Sequence, residues 1–328
     1  MKALVTGAGG FAGGHLCRYL LAREHTVVGL VRSSEDARGL EELGIQPARG
    51  DVRDPASLTE AARGAEVVFH LAAVFRQAGL PDDEFEAVNV GGTENVIRAA
   101  AEAGARRVVH CSTIGVVGDT GSVPADESRA PQPAADSYNR TKALGEHRAR
   151  GLFEELGIEG VVVRPGAGYG PGELRYLKLF RAISKQRFFI LGDGETLFNL
   201  AWIDDLCEAF RLCAESPDAP GRLFHLGGDT NVTLNELTRE IARAVGVDSP
   251  RIPRFPAWPV VLAARAVEAC CRPFGIEPPL HRRRVEFFTV SRAIDIGRAR
   301  TVLGYRPRVP LREGLGRMAA WYQSEGLL

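Results

Sequence analysis

Lysine is scarce in this chain of 328 residues: four lysines stand against thirty-seven arginines among the 41 basic residues. Such a bias follows the base composition of a genome more than any function, and it makes each lysine conspicuous. Net charge is missing as well, because 41 acidic residues balance the 41 basic ones. That balance calls for neither nucleic acid nor an anionic membrane as partner. The six cysteines (Cys17, Cys111, Cys207, Cys213, Cys270 and Cys271) form no Cys-x-x-Cys pair and no cluster with histidine. A disulfide framework and a structural metal are therefore not expected, and reduced thiols in a cytoplasmic protein are. No run of 18 uncharged apolar residues occurs, so no membrane span is expected. The most apolar helical stretch, Trp258 to Cys271, is interrupted by Arg265 and Glu268. Met1 and Lys2 run straight into the first strand, with no charged leader, long apolar segment and cleavage site in series, so no signal peptide is expected, and neither repeats nor low-complexity segments are visible.

An ordinary globular composition is present, 45% hydrophobic and 25% charged, with length for one large α/β unit and a smaller lobe. Over the first 165 residues, short β-branched runs (KALVT, HTVVGLV, AEVVFHLAA, RRVVHCS, EGVVVRP) alternate with helical stretches. The helices are expected at Gly14 to Arg23, Pro55 to Arg63, Asp83 to Ala103 and Asp136 to Leu156. Strands that are apolar throughout, separated by helices, form parallel sheets covered on both faces. Right-handed crossovers then give a doubly wound, Rossmann-type α/β fold. After Pro165 the rhythm breaks into a Gly/Pro loop and a mixture of short elements, read as a smaller mixed α/β lobe. The expected division is 1–165 for dinucleotide binding, with 195–216 returning to it, and 166–194 plus 217–328 for the substrate.

Gly7-Ala8-Gly9-Gly10-Phe11-Ala12-Gly13 sits between the first strand and first helix, spaced G-x-x-G-x-x-G. Glycines there serve a tight turn, close approach to a pyrophosphate and close helix packing, with the phosphates at the positive helix end. Tyr138-Asn-Arg-Thr-Lys142 opens a predicted helix and puts a phenol and an ammonium on one face. With so few tyrosines and lysines, that spacing is rarely met by chance. A phenol titrating near pH 10 is a poor base at neutrality, and lowering its pKa by about 3 units corresponds to about 4 kcal/mol. A neighbouring ammonium is a source of that stabilisation.

These motifs, in this order, resemble the extended short-chain dehydrogenase/reductase family over essentially the whole chain. Further matches are Gly50-Asp51-Val52-Arg53-Asp54, His70-Leu71-Ala72-Ala73 and Asn89-Val90-Gly91-Gly92-Thr93. The resemblance implies a nicotinamide dinucleotide held by Gly7, Gly10, Phe11, Ala12, Gly13, Asp51, Val52, Leu71, Ala72, Ala73, Asn89, Tyr138, Lys142 and Pro165. It also implies proton exchange by Tyr138 tuned by Lys142. The family's substrate-binding hydroxyl falls on Thr113, 25 residues before Tyr138, with Ser112 as a substitute, in Cys111-Ser112-Thr113-Ile-Gly-Val-Val-Gly118. Val117 replaces the tyrosine usual there. Arg164-Pro165-Gly-Ala-Gly-Tyr169-Gly-Pro171 resembles the loop that closes over the nicotinamide end.

The carboxylate that selects NAD is missing: its position is Val31, followed by Arg32, Ser33 and Ser34. A guanidinium and two hydroxyls suit a 2′-phosphate, so NADP(H) is favoured over NAD(H). Ile114-Gly115 stand where the family's dehydratases carry Asp-Glu, which disfavours elimination. The arginine with which nucleotide-sugar epimerases hold the diphosphate is replaced by Phe198 and then Asn199, leaving only Arg282, Arg283 and Arg284 as a substitute. Trp202, Phe198, Phe188, Phe189 and the helix from Trp258 are candidates to line an apolar cavity. The pieces YNRTKALGE, VVRPGAGYGPGE and ARTVLGYRPRVPLREGL look most like the 3β-hydroxysteroid and sterol-carboxylate dehydrogenase branch, near the dihydroflavonol reductases. The expected function is NAD(P)-dependent hydride transfer at a ring secondary alcohol or ketone of an apolar small molecule. A nucleotide-sugar epimerase is the alternative; a non-enzymatic dinucleotide sensor is a lesser one, disfavoured by the retained Tyr/Lys pair. A homodimer formed by helices near 83–103 and 136–156 is implied by the resemblance.

Overall fold

The computed structural model describes residues 1–75, 80–134, 136–271 and 282–328, without the side chains of 265, 268–270 and 282–284. The first half runs β1 (Lys2–Thr6), α1 (Phe11–Leu21), β2 (Thr26–Val31), α2 (Ser34–Glu42), β3 (Gln46–Arg49), α3 (Pro55–Ala62), β4 (Val67–His70), α4 (Asp82–Glu86), α5 (Gly92–Glu102), β5 (Arg107–Cys111), α6 (Ser137–Leu156) and β6 (Glu159–Pro165). A π-helical turn, Ala87–Gly91, joins α4 to α5, so the single helix expected over 83–103 is interrupted. The second half runs β7 (Ala167–Tyr169), α7 (Leu177–Ser184), β8 (Ile190–Leu191), β9 (Leu197–Trp202), α8 (Ile203–Glu215), β10 (Leu223–Leu226), β11 (Asn231–Thr233), α9 (Leu234–Ala244), β12 (Arg254–Phe255), α10 (Ala257–Cys271), α11 (Arg282–Thr289), α12 (Gly297–Val302) and α13 (Leu311–Ser324).

Seven parallel strands form the main sheet in the order β10-β6-β5-β4-β1-β2-β3. The period of two divides each apolar strand between two cores. Ala3 and Val5 of β1, with Val161 and Val163 of β6, face α1 and α8. Leu4 and Val162 face α3, α5 and α6 on the other side. The strand order reverses about β1 and β4, which leaves a crevice beyond their carboxyl ends.

The two lobes interleave more than expected. Within 195–216, α8 packs on α1, yet β9 belongs to a small sheet with β7 and β11. Later chain returns as well: β10 extends the main sheet beside β6, and Ile294, Ala299 and Tyr305 join its core. The small lobe has its own core, built on Phe180, Trp202, Leu237, Met318 and Tyr322. Among the described residues, Cys17, Cys111, Cys207, Cys213 and Cys271 are free thiols, no acidic, His or Cys group is arranged to hold a metal, and no helix is long and apolar enough to cross a membrane. The Cys270 side chain lies outside the described residues.

Candidate active site

The glycine-rich turn ends β1 and enters α1 with little space to spare. Gly7 has φ +73°, a region that favours glycine, and a Cβ there would sit 2.9 Å from the Ala72 amide nitrogen. A Cβ on Gly13 would sit 2.1 Å from the Gly7 carbonyl oxygen. Gly10 donates to that same oxygen at 3.0 Å. No side chain caps α1 and its first turn holds no acid. The amides at Phe11 and Ala12, in the uncapped first turn, thus open on the crevice at the positive end of a helix, which suits a pyrophosphate.

Across the crevice, a hydrogen-bond chain fixes the segment after β4. Ala72 N–H donates to Thr6 Oγ1 at 3.1 Å, and Thr6 Oγ1 lies 2.8 Å from His70 Nδ1. His70 Nε2 lies 3.0 Å from Thr93 Oγ1, whose hydroxyl donates to the Asn89 carbonyl at 2.8 Å. Followed donor by donor, the chain puts the imidazole proton on Nε2. Burial, with the Lys142 charge near by, holds the His70 pKa down at about 3, so the ring is neutral. Leu71, Ala72 and Ala73 are thereby presented beside the glycine turn. Asn89, in contrast, uses its side chain within the protein: it accepts from Val74 N–H at 2.8 Å and donates to Val74 O and to Thr141 Oγ1. It ties the β4 segment to the helix that carries Lys142.

At the adenosine end, Val52 is buried, and Asp51 is bound by Arg53 through three contacts that hold its carboxyl below the usual range. Arg32 is exposed and close enough for its charge to act on Asp51. A carboxylate that the sequence reading passed over lies here too. Asp36 sits in the first turn of α2, where its N–H donates to the capping Ser33 hydroxyl at 3.0 Å and its carboxylate accepts from that hydroxyl at 2.6 Å, and it would touch a Cβ on Gly9 at 3.0 Å.

Tyr138 and Lys142 lie in the first two turns of α6, whose start is fixed by Asp136 accepting from Asn139 N–H at 3.0 Å. Lys142 is buried, and its Nζ donates to the Cys111 carbonyl at 2.6 Å. Burial holds its pKa below the ordinary lysine value. The edge of Phe75 meets the Tyr138 ring at 4.8 Å. Thr113 follows β5 and caps a short 3-10 turn, its Oγ1 accepting from Gly115 N–H at 3.2 Å. That bond leaves the hydroxyl proton available. Ser112 does not share this environment. Its hydroxyl donates to Glu146 Oε2 at 2.7 Å, in a buried group where Arg164 grips Glu146 through Nε (2.9 Å) and a terminal nitrogen (2.6 Å). The substitute role expected for Ser112 therefore meets a hydroxyl already committed inside the core.

The profile of the NAD dependent epimerase/dehydratase family matches residues 3–227. The chain belongs to this family. It is 30% identical, over 96% of its length, to 3beta-hydroxysteroid-dehydrogenase/decarboxylase isoform 2 of Arabidopsis thaliana, of which it spans 60%. It is also 30% identical to 2-alkyl-3-oxoalkanoate reductase of Stenotrophomonas maltophilia, over 98% of this chain and 99% of that protein. Among solved structures, that of gox2253 matches with a TM-score of 0.84 at 29% identity, covering 100% of this chain and 99% of that one.

As an epimerase/dehydratase-family protein the chain binds a pyridine nucleotide, and the glycine cradle and uncapped helix fit one. The rest of the family's site is less as expected. The loop 166–172 rests on α1: His15 Nε2 donates to the Pro171 carbonyl at 2.9 Å, and Gly168 and Gly172 face Phe11. Pro165, at the end of β6, is half-buried. Tyr169 points away into the small lobe, buried against Trp202 at 5.4 Å. Trp202 is thus core and lines no cavity. Asn199 is buried and spends its amide on Gly228, Thr230 and Asn231. Trp258 is 71% exposed. The side chains of Arg282, Arg283 and Arg284 lie outside the described residues. Arg175 was missed. Glu173, itself buried, holds its Nε at 2.6 Å, and the guanidinium lies over Phe75, 5.1 Å from the ring centroid. Its charge acts on Tyr138.

Proposed function

We propose that this chain is a nicotinamide-dependent dehydrogenase/reductase that interconverts a ring secondary alcohol and ketone on an apolar, 3β-hydroxysteroid-like molecule. The observation that carries this reading is the bond from Lys142, one helical turn after Tyr138, to the carbonyl of Cys111, two residues before Thr113, with Phe198 at the sequence position of the diphosphate clamp. The bound nicotinamide supplies or accepts the hydride. Tyr138 gives its hydroxyl proton to the substrate oxygen in reduction and takes it back in oxidation. Lys142 favours the phenolate through its charge and, by resemblance, holds the nicotinamide ribose. Thr113, with Oγ1 already accepting from Gly115, donates its hydroxyl proton to the substrate oxygen and orients it. The names of the two relatives, a 3beta-hydroxysteroid dehydrogenase and a 2-alkyl-3-oxoalkanoate reductase, support a secondary alcohol or ketone on a molecule with a large hydrocarbon part.

NADP(H) is the preferred cofactor in this reading. Arg32 is exposed at the end of β2, where a 2′-phosphate would meet a guanidinium, although Asp36 opposes it near by. The enzyme is read as a cytoplasmic homodimer joined through α5 and α6. Its dinucleotide-binding unit is 1–165 with 195–216, and the remaining chain binds substrate.

Thermal shifts with NADP, NAD, uridine diphosphate and a 3β-hydroxysterol test the reading. A ligand at about 100 times its Kd adds about 2.7 kcal/mol of stability. Stabilisation by NADP and the sterol is the expected result. Strong stabilisation by uridine diphosphate instead would move the protein to the nucleotide-sugar epimerases.

A further inference from the structure

The chain has no net charge, but its small lobe gathers exposed aromatic and basic residues on one face. β8 pairs with β12, aligning Ile190 with Arg254 and Leu191 with Phe255. This pairing brings two short segments side by side, 185–190 and 249–264. Between them they carry Lys185, Arg187, Arg251 and Arg254 and no acidic residue. From the same surface Phe189 is 43% exposed, Phe255 52%, Leu262 61% and Trp258 71%. Trp258 and Leu262 are four apart on α10, so they form one outward stripe. The opposite side of α10 packs Ala264 against Leu191 and Val285, so the helix is anchored and the stripe is not its buried face.

Large apolar side chains clustered at such exposure mark an interaction surface. Exposed rings beside Lys185, Arg187 and Arg251, in two segments whose own sequences carry no acid, match an anionic lipid surface, where rings enter the headgroup layer and the cations meet the phosphates. A second copy of the chain is a poor occupant. In an isologous pairing the same patch meets itself, which gathers the cations of both copies into one interface. Arg254, the strand neighbour of Phe255, turns to the other side, where it lines a groove with Glu195, Glu236 and Asp248 and donates to Asn235 Oδ1 at 3.1 Å.

The patch is also continuous with the candidate active site. Phe255 meets Phe189 at 5.8 Å and Phe189 stacks on Phe288 at 6.1 Å. Phe288 meets Phe287 at 5.1 Å, and Phe287 meets Phe198 at 5.3 Å. Phe198 bridges to Arg292, which donates to the carbonyl of Gly118 at 3.0 Å, the end of the turn that Thr113 begins. Five phenylalanines thus lead from the exposed patch to the strand beside the catalytic turn.

We propose that this face, Phe189, Phe255, Trp258 and Leu262 within their basic rim, docks on an anionic lipid bilayer, from which the apolar substrate enters along the phenylalanine run. The entry route rests on the apolar-substrate reading above; the docking itself is measured without turnover. The test mixes the purified full chain with vesicles of phosphatidylcholine alone or with phosphatidylglycerol, followed by sedimentation and tryptophan emission. Sedimentation is expected with phosphatidylglycerol vesicles and is expected to weaken with salt. Emission is expected to shift to shorter wavelength, because Trp202 is buried, Trp321 is half-buried and Trp258 alone of the three is fully exposed. Trp258→Phe is expected to lose most of the shift and still sediment. Phe189→Ser with Leu262→Ser is expected to lower vesicle binding at least tenfold while cofactor binding in solution is unchanged. Sedimentation no greater than without vesicles, or binding unaffected by the double change, overturns the proposal. So does a concentration-dependent dimer that the same change dissolves. Vesicle binding without turnover of any sterol would keep the docking face and sink the substrate reading instead.

Discussion

The Lys142 ammonium donates to the Cys111 carbonyl at 2.6 Å, so the catalytic helix is fastened to the strand end that leads into Thr113. In the proposed reading the same residue tunes Tyr138, while its bond holds α6 to the end of β5. Tyr138→Phe removes the proton donor alone, and turnover is expected to fall by about 10²–10⁴ with cofactor affinity kept. Lys142→Met is expected to lose both. Titration of cofactor fluorescence beside steady-state kinetics separates the two, and a Tyr138→Phe enzyme of wild-type rate would remove Tyr138 from the chemistry.

Arg175 adds a second cation. A positive charge near a phenol favours the phenolate, so Arg175→Gln is expected to raise the pH at which Tyr138 ionises. The ascending limb of the pH–rate profile for alcohol oxidation should move to higher pH, by about half a unit or more. A lower kcat at every pH with an unmoved limb would assign Arg175 to substrate orientation alone.

In the proposed reading, cofactor choice turns on Arg32 and Asp36. Arg32→Ala is expected to raise KM for NADP about tenfold and leave KM for NAD within about twofold, the loss of one charge-assisted contact to phosphate. Asp36→Asn is expected to move the ratio the other way. Equal effects of Arg32→Ala on both cofactors would remove the 2′-phosphate from its neighbourhood.

Buried imidazoles set the acid limit of stability. His70 is held at about 3, His225 at about 4 and His110 well below its ordinary value, each chiefly by burial. The unfolded chain binds their protons below pH 6.5 and the native protein does not. Their contribution is therefore intact above pH 6.5 and is lost as pH falls towards the native values. The slope reaches about 1.4 kcal/mol per pH unit for each ring. Melting temperature should fall steeply between pH 6.5 and about 4, and His225→Asn, which can still donate to the Ala125 carbonyl, should make the fall shallower.

The Ser112, Glu146 and Arg164 group holds charge away from water. Glu146→Ala strands the buried guanidinium, and a loss of about 3–5 kcal/mol is expected from denaturant unfolding. Replacing all three with apolar residues of similar volume should recover much of it. If it recovers none, the group acts in catalysis as well as in folding.

The sequence was legible where chemistry is local. The glycine turn, the Tyr138 and Lys142 spacing and the apolar strands each declare themselves within a few residues, and the sheet follows from them. What stayed hidden depends on distant partners. β3 reads QPAR, with no β-branched residue, and is a strand because β2 pairs with it. β10 is four residues in a Gly/Pro-rich stretch, and only β6 makes it part of the large sheet. Asn89 carries a family motif, yet its partners Val74 and Thr141 make it a brace within the protein. Aromatic residues were read least well: Trp202 is core and Trp258 faces solvent, a difference that composition does not encode.

β10 has one further consequence. It pairs with β6 along Leu223 to Leu226, so a fragment ending near residue 165 would leave β6 as an open strand edge, ready to join another chain. The amino-terminal half is then expected to need the later chain to close its sheet. Truncations should aggregate, and the intact chain should melt in one cooperative step.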